Sequence, residues 1–263
     1  MDRHWAPASA PRGTVALLHG IASTAATWWR VGPMLAGRGW DTVALDLPGH
    51  GDARPPGRPL DLRALADDVA GRLPGRVDLL VGHSLGAVTA TAIAAWYPGR
   101  VGAIVLEDPP GRAAVAGQVL ADKLAADTAL ARSNREAVVR REREANPTWA
   151  PEDVEYSVDG IATLDVPWVT AGVRGDFTWD LPVQLAEVDL PVLVVVAREG
   201  AGLALDPGAS ALFGPARRAV QALVPPDRFV VLDGGHCLHR DHPDAWFEIV
   251  STFADGLWTP VDT

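Results

Sequence analysis

The chain has a single cysteine, Cys237, among its 263 residues, so no intrachain disulfide can form, and this suits a reducing compartment. It also lacks any run approaching ~18 consecutive apolar residues, which excludes a membrane-spanning helix from the reading. The opening stretch, Met1 to Pro7, has none of the apolar core of a signal peptide, so a cytoplasmic location is expected. Positive charge is in deficit. Lys and Arg number 23 against 33 Asp and Glu, giving a formal net charge of −10 and a pI near 5.1. Phosphate-rich partners would be repelled, so neither nucleic acid nor an anionic membrane is an expected partner. The basic cluster Arg140-Arg141-Glu142-Arg143-Glu144 is interleaved with acids and reads as a solvated helix face. Internal repeats and low-complexity tracts are absent as well.

What is there is an alternation. Apolar runs at Thr14 to Leu18, Thr42 to Leu45, Val77 to Val81, Ala103 to Leu106, Val192 to Val196 and Phe229 to Leu232 have the uniform hydrophobicity of strands buried on both faces. Between them, helices are predicted at about 24–37, 61–73, 85–96, 207–223 and 242–255, with Asp61 as an N-cap and Gly75 as a helix stop. The fold class is therefore α/β, a mostly parallel central sheet flanked by helices. From about Gly111 to Glu187 the alternation fails, and charged helical segments such as Ala129 to Ala145 appear with Trp149, Trp168 and Trp179. So long an insertion should fold on its own account. The expected organisation is a core of residues 1–110 and 188–263 with an inserted helical cap at 111–187. The three tryptophans either wall a substrate site or anchor the cap.

The most specific motif is Gly82-His83-Ser84-Leu85-Gly86, between the apolar run Val77 to Val81 and the Ala/Thr-rich stretch Ala87 to Trp96. A strand, a sharp turn and a helix would lift the Ser84 hydroxyl clear of the sheet edge, with the Leu85 amide free to donate to an oxyanion. A serine hydroxyl needs a base. Of seven histidines, His236 directly follows an apolar strand and the turn Asp233-Gly234-Gly235, where catalytic groups of open α/β sheets gather. His19-Gly20-Ile21 follows another strand, and the Ile21 amide could supply a second oxyanion donor, with His19 itself structural. His236, His239 and His242 with Asp241 have a metal-like spacing, but Pro243 reads as the start of a helix and breaks the shared face. Neither metal nor cofactor is expected. Cys237 beside His236 is a weaker nucleophile candidate than Ser84, because adjacent side chains rarely face each other.

Taken in order, Leu17-Leu18-His19-Gly20, Asp46-Leu47-Pro48-Gly49-His50-Gly51, Gly82 to Gly86, Tyr97-Pro98-Gly99-Arg100-Val101 and Gly234-Gly235-His236 make the chain resemble the α/β-hydrolase superfamily. The short N-terminus leaves little room for that family's first antiparallel strands, so a trimmed sheet edge is expected. In much of the superfamily the acid that orients the histidine follows the strand after the cap, but here that turn reads Ala197-Arg198-Glu199-Gly200. Some branches, haloalkane dehalogenases and zearalenone-type lactonases among them, place it after the strand before the cap, and Asp108 lies there. Asp108 is favoured over Asp206, with Glu107 and Glu199 as further candidates. A serine at 84 argues against dehalogenation.

The resemblance implies a serine hydrolase with a Ser84-His236-Asp108 triad, an Ile21/Leu85 oxyanion hole and a small apolar ester or lactone as substrate. C–C, thioester or perhydrolase chemistry on the same machinery, or a non-catalytic ligand-binding or signalling role, are the alternatives. Homo-oligomerisation is left open.

Overall fold

The computed structural model describes residues 1–112, 117–175, 177–200 and 210–257. Seven strands form one sheet: β1 (Arg3–Trp5), β2 (Gly13–Leu18), β3 (Trp40–Leu45), β4 (Val77–His83), β5 (Val101–Glu107), β6 (Val192–Val196) and β7 (Phe229–Val231). Their spatial order is β1-β3-β2-β4-β5-β6-β7. β1 runs antiparallel to β3 and the remaining pairings are parallel. All six apolar runs are strands, and the expected trimmed edge is β1, three residues long.

The helices in chain order are α1 (Val31–Gly37), α2 (Leu62–Arg72), α3 (Leu85–Trp96), α4 (Gly117–Ser133), α5 (Arg135–Ala145), α6 (Pro151–Thr163), α7 (Val166–Arg174), α8 (Leu181–Leu185), α9 (Gly214–Leu223), α10 (Leu238–Asp241) and α11 (Pro243–Leu257). Because successive strand residues point to opposite faces, two cores result. Leu17, Leu79, Val81, Val105 and Val195 pack with Trp28, with Leu35 of α1 and with Trp246 and Val250 of α11. Ala16, Leu18, Leu80, Ile104, Leu106 and Val194 pack with α2 and α3. α3 is buried almost all round, so its Thr89 and Thr91 need internal partners; their hydroxyls donate to the carbonyls of Leu85 and Ala87.

Several boundaries differ from the sequence expectation, each for a local reason. The stretch 24–37 divides into a 3-10 turn, Ala25–Trp28, and α1. α2 is capped by Asp61, whose carboxylate accepts from the Ala64 amide at 2.5 Å, and it stops at Arg72, within a residue of the expected end. Pro74 follows and holds Leu73 extended, and Gly75, at φ +72°, makes the turn beyond. The charged segment Ala129 to Ala145 is two helices, broken at Asn134, whose side chain caps α5 through the Ala137 amide. α9 begins at Gly214, later than position 207; residues 201–209 lie outside the described residues.

α4 to α8 lie between β5 and β6, and Ala131, Val138 and Val158 form a small core of their own among α4, α5 and α6. Phe177, Leu181 and Leu185 instead join the larger sheet core, so the last turn of this region is packed on the sheet layer.

Registration of the strands decides what meets at the carboxyl edge. Leu18 lies opposite Gly82, Gly82 opposite Leu106, His83 opposite Glu107, and Glu107 opposite Val195. The residues immediately following, Ser84 and Asp108, therefore leave the sheet side by side.

Candidate active site

Ser84 occupies φ 53°, ψ −115°, a region that side-chain-bearing residues rarely adopt, directly before the first residue of α3. Its amide donates to the Glu107 carbonyl at 2.9 Å, which ties the turn to the neighbouring strand. Glycine is required on both sides. A Cβ at Gly82 would stand 2.3 Å from the Gly86 carbonyl oxygen, and one at Gly86 would stand 2.4 Å from that of Leu18. Neither clash can be relieved by a side-chain rotation, since both involve backbone. Gly86→Ala is expected to lower the melting temperature by about 2–12 °C, corresponding to about 1–3 kcal/mol of forced backbone movement. Thermal denaturation followed by circular dichroism checks this, and an unchanged midpoint would contradict the packing described.

Gly20 brings the turn after β2 against the same point: a Cβ there would lie 2.9 Å from His83 Nδ1 and 3.1 Å from Ser84 Cβ. Ile21 follows at once. As the first residue of α3, Leu85 has an amide that no carbonyl of its own helix can reach. His19 is fully buried, its Nδ1 donating to the Gly20 carbonyl at 2.7 Å and its Nε2 accepting from the Leu47 amide at 2.9 Å. Burial, reinforced by repulsion from His50, pushes its pKa down to about 3, so it is a neutral brace.

Asp108 is fully buried and sits at φ 39°. Oδ1 accepts from the Ala197 amide at 3.2 Å and the Ser210 hydroxyl at 2.6 Å. Oδ2 accepts from the Ala211 amide at 2.8 Å and from His236 Nδ1 at 2.6 Å. Four donors converging on one carboxylate offset the cost of burying it and fix its orientation. With Nδ1 committed, the imidazole has Nε2 left for proton exchange. His236 keeps 27% of its side chain exposed. Burial opposes its charged form, but the hydrogen bond and charge of Asp108, with further attraction from Glu107 and Asp241, hold its pKa above the ordinary 6.5. The loop carrying it touches the elbow: His83 Nε2 donates to the His236 carbonyl at 2.9 Å, and the two rings lie 4.7 Å apart.

Of the other acids weighed from sequence, Glu107 accepts from His239 Nδ1 at 2.8 Å, and Glu199 accepts from the Gly214 amide at 2.6 Å. Asp206 lies outside the described residues. Cys237 has its thiol pushed up to about 12, chiefly by burial, and so is not a thiolate near neutral pH. His236 and His239 each face a carboxylate of their own, and among the described residues no group of three or more His, Cys, Asp or Glu is gathered as a metal would need. Ser210 and Arg217 are additions that the sequence reading missed. Arg217 donates to the Ser210 hydroxyl at 3.3 Å and to the Ala197 carbonyl at 3.0 Å, bracing two of the groups around Asp108. They lie more than a hundred residues along the chain, with no local motif to single them out.

The three tryptophans each donate their indole N–H across the fold: Trp149 to Asp241 Oδ1 at 2.7 Å, Trp168 to the Arg58 carbonyl at 2.9 Å, and Trp179 to the Pro110 carbonyl at 2.8 Å. Trp168 also lies so close over Gly49 that a Cβ there would meet its ring at 2.6 Å. Trp149 and Trp168 therefore fasten the region between β5 and β6 to the rest of the chain, and Trp179 ties the end of that region back to the turn after β5.

Residues 15–249 match the family described as "Alpha/beta hydrolase family". The pimeloyl-[acyl-carrier protein] methyl ester esterase of Neisseria meningitidis serogroup B is 45% identical over 67 residues, 26% of this chain and 25% of that protein. The monoacylglycerol lipase of Mycolicibacterium smegmatis is 35% identical over 115 residues, 40% of each. The chain thus aligns with only a quarter to two fifths of the length of these relatives. Among solved structures, the enol-lactonase of Burkholderia xenovorans LB400 superposes with a TM-score of 0.72 at 18% identity, covering 97% of this chain and 96% of that one. At that identity the likeness speaks for the fold.

Proposed function

The chain belongs to the alpha/beta hydrolase family, and from that footing we propose that it is a serine hydrolase cleaving a carboxylic ester or lactone through an acyl-enzyme. The observation that carries the reading is the 2.6 Å bond from His236 to a four-fold-braced Asp108, beside a serine in a strained turn. Ser84 Oγ attacks the carbonyl carbon as His236 Nε2 takes its proton, and Asp108 stabilises the imidazolium. The Ile21 and Leu85 amides hold the oxyanion. Collapse expels the alcohol, which leaves with the proton from His236; water, activated by the same nitrogen, then releases the acid. In a lactone the alcohol stays tethered to the acyl group throughout, and deacylation releases a hydroxy acid.

The helices of 111–187 act as a cap over the site, and the ring faces of Trp149, Trp168 and Trp179 contribute apolar lining beside their anchoring bonds. The methyl ester esterase among the relatives supports the substrate class. Among the described residues no helix is long and apolar enough to cross a membrane. The substrate is a small apolar ester or lactone, and the single cysteine suits a cytoplasmic location.

Turnover of a short-chain p-nitrophenyl ester, with covalent labelling of Ser84 by a fluorophosphonate, tests the proposal. The base must be neutral to accept a proton, so activity is expected to fall as pH drops through the His236 pKa. The acidic limb of kcat/KM should accordingly centre above 6.5. Absence of both turnover and labelling would favour a ligand-binding role instead.

A further inference from the structure

The last residue of β5 and the one after it are both acids, and each holds a histidine from the segment after β7: Asp108 takes His236, and Glu107 takes His239. The second pair is buried more deeply than the first. Glu107 is fully buried and His239 is 2% exposed. Glu107 Oε1 accepts from the His239 amide at 3.0 Å as well as from Nδ1 at 2.8 Å. The far side of the ring, Nε2, lies 2.7 Å from the Thr27 hydroxyl, and Arg240 Nε donates to that same hydroxyl at 2.9 Å. Arg240 reaches on to the Ser23 hydroxyl at 3.3 Å and lies over the Trp149 ring at 4.5 Å.

Arg240 closes this chain on its far side. A guanidinium N–H can only donate, so the Thr27 oxygen accepts from Arg240 while it also meets His239 Nε2. On the near side the His239 amide and Nδ1–H both donate to Glu107. Glu107 thereby gains a fixed orientation. Trp28, stacked on His239 at 4.3 Å, holds the ring in that plane.

We infer that Glu107 is a positioning carboxylate for the same reaction: through His239, Thr27 and Arg240 it joins the segment bearing His236 to the segment bearing Ile21, and it sets a second carboxylate next to Asp108 at the base. This rests on the serine-hydrolase reading. Ser23 and Thr27 lie two and six residues beyond Ile21, and His239 three beyond His236, so the chain of bonds links the two segments that carry one proposed oxyanion donor and the proposed base. The charged and titratable groups around His236 are Glu107 at the end of β5 and Asp108 just after it, His83 at the end of β4, His239, Arg240 and Asp241 of α10, and the adjacent Cys237.

The test is an NMR titration of the His236 imidazole, assigned with His236→Gln, in the wild-type chain, in Glu107→Gln and in Thr27→Val. Glu107→Gln removes the charge and should lower the His236 midpoint by about one pH unit. Thr27→Val loosens the hold on His239 and so on Glu107, and should move the midpoint the same way by a smaller amount. The acidic limb of kcat/KM should move with it, and kcat on the plateau should fall about tenfold as the two loops lose their tie. If Glu107→Gln does not fold, Thr27→Val decides. A His236 midpoint that stays at its wild-type value in the folded variants overturns the inference while leaving fluorophosphonate labelling of Ser84 intact. A midpoint that moves in a chain whose Ser84 is never labelled overturns the hydrolase reading and leaves the charge coupling standing.

Discussion

Ser84→Ala is expected to reduce kcat for a p-nitrophenyl ester by about 10⁵–10⁶-fold, with fluorophosphonate labelling lost and the melting temperature almost unchanged. The size of the effect follows from what the hydroxyl does in the proposed reaction. Without it no acyl-enzyme forms, and the remaining groups can only orient water. Stability should be nearly untouched because alanine inherits the same φ of 53°, so the strain of the turn is neither relieved nor increased. The Ser84 amide bond to the Glu107 carbonyl is backbone and survives the change. Steady-state kinetics beside calorimetry would check the pairing of effects. Activity surviving within tenfold of wild type would remove Ser84 from the mechanism.

Asp108→Asn is expected to cost about 10⁴-fold in kcat and, unlike the serine variant, about 1–3 kcal/mol of stability. Each carboxylate oxygen faces two donors: the Ala197 amide and the Ser210 hydroxyl on one side, the Ala211 amide and His236 Nδ1 on the other. An asparagine must place its NH2 toward one of those pairs. Turned toward Ala211 and His236, it opposes the imidazole N–H and drives the ring to the wrong tautomer. Turned the other way, it opposes the Ala197 amide within a fully buried site. Parallel measurement of kcat and of the urea midpoint separates the two costs. Asp206→Asn serves as the comparison and should leave kcat within a few-fold of wild type. The reverse pattern, a large loss only at position 206, would transfer the role to that residue.

The sequence made the sheet legible because strands buried on both faces must be apolar throughout, and α/β alternation then leaves few arrangements. The elbow was legible for a different reason. Gly82 and Gly86 are positions where backbone oxygens leave no room for a Cβ, so the motif is a steric requirement as well as a signature. Asp108 could be weighed against Asp206 only through its place after a strand; what singles it out in space is the cradle of Ser210, Ala211 and Ala197, whose residues come from distant elements. The break at Asn134 was hidden because the charged residues on both sides have equally good helical character, and a single capping side chain decides the boundary. Tryptophan content was visible, but the destination of each indole N–H was not, since a carbonyl acceptor such as that of Pro110 leaves no trace in composition.

Glu107 and Asp108 are consecutive, so they point to opposite sides of the strand end, and the pairing of β5 with β4 determines which histidine each one finds. A misfolded chain in which β5 had slipped by a single position would exchange the two acids, offering the longer side chain where the shorter belongs. Such a species could be compact and rich in native-like secondary structure and still be inert. Recovered turnover after refolding would accordingly count correctly threaded molecules, a quantity that circular dichroism alone would overestimate.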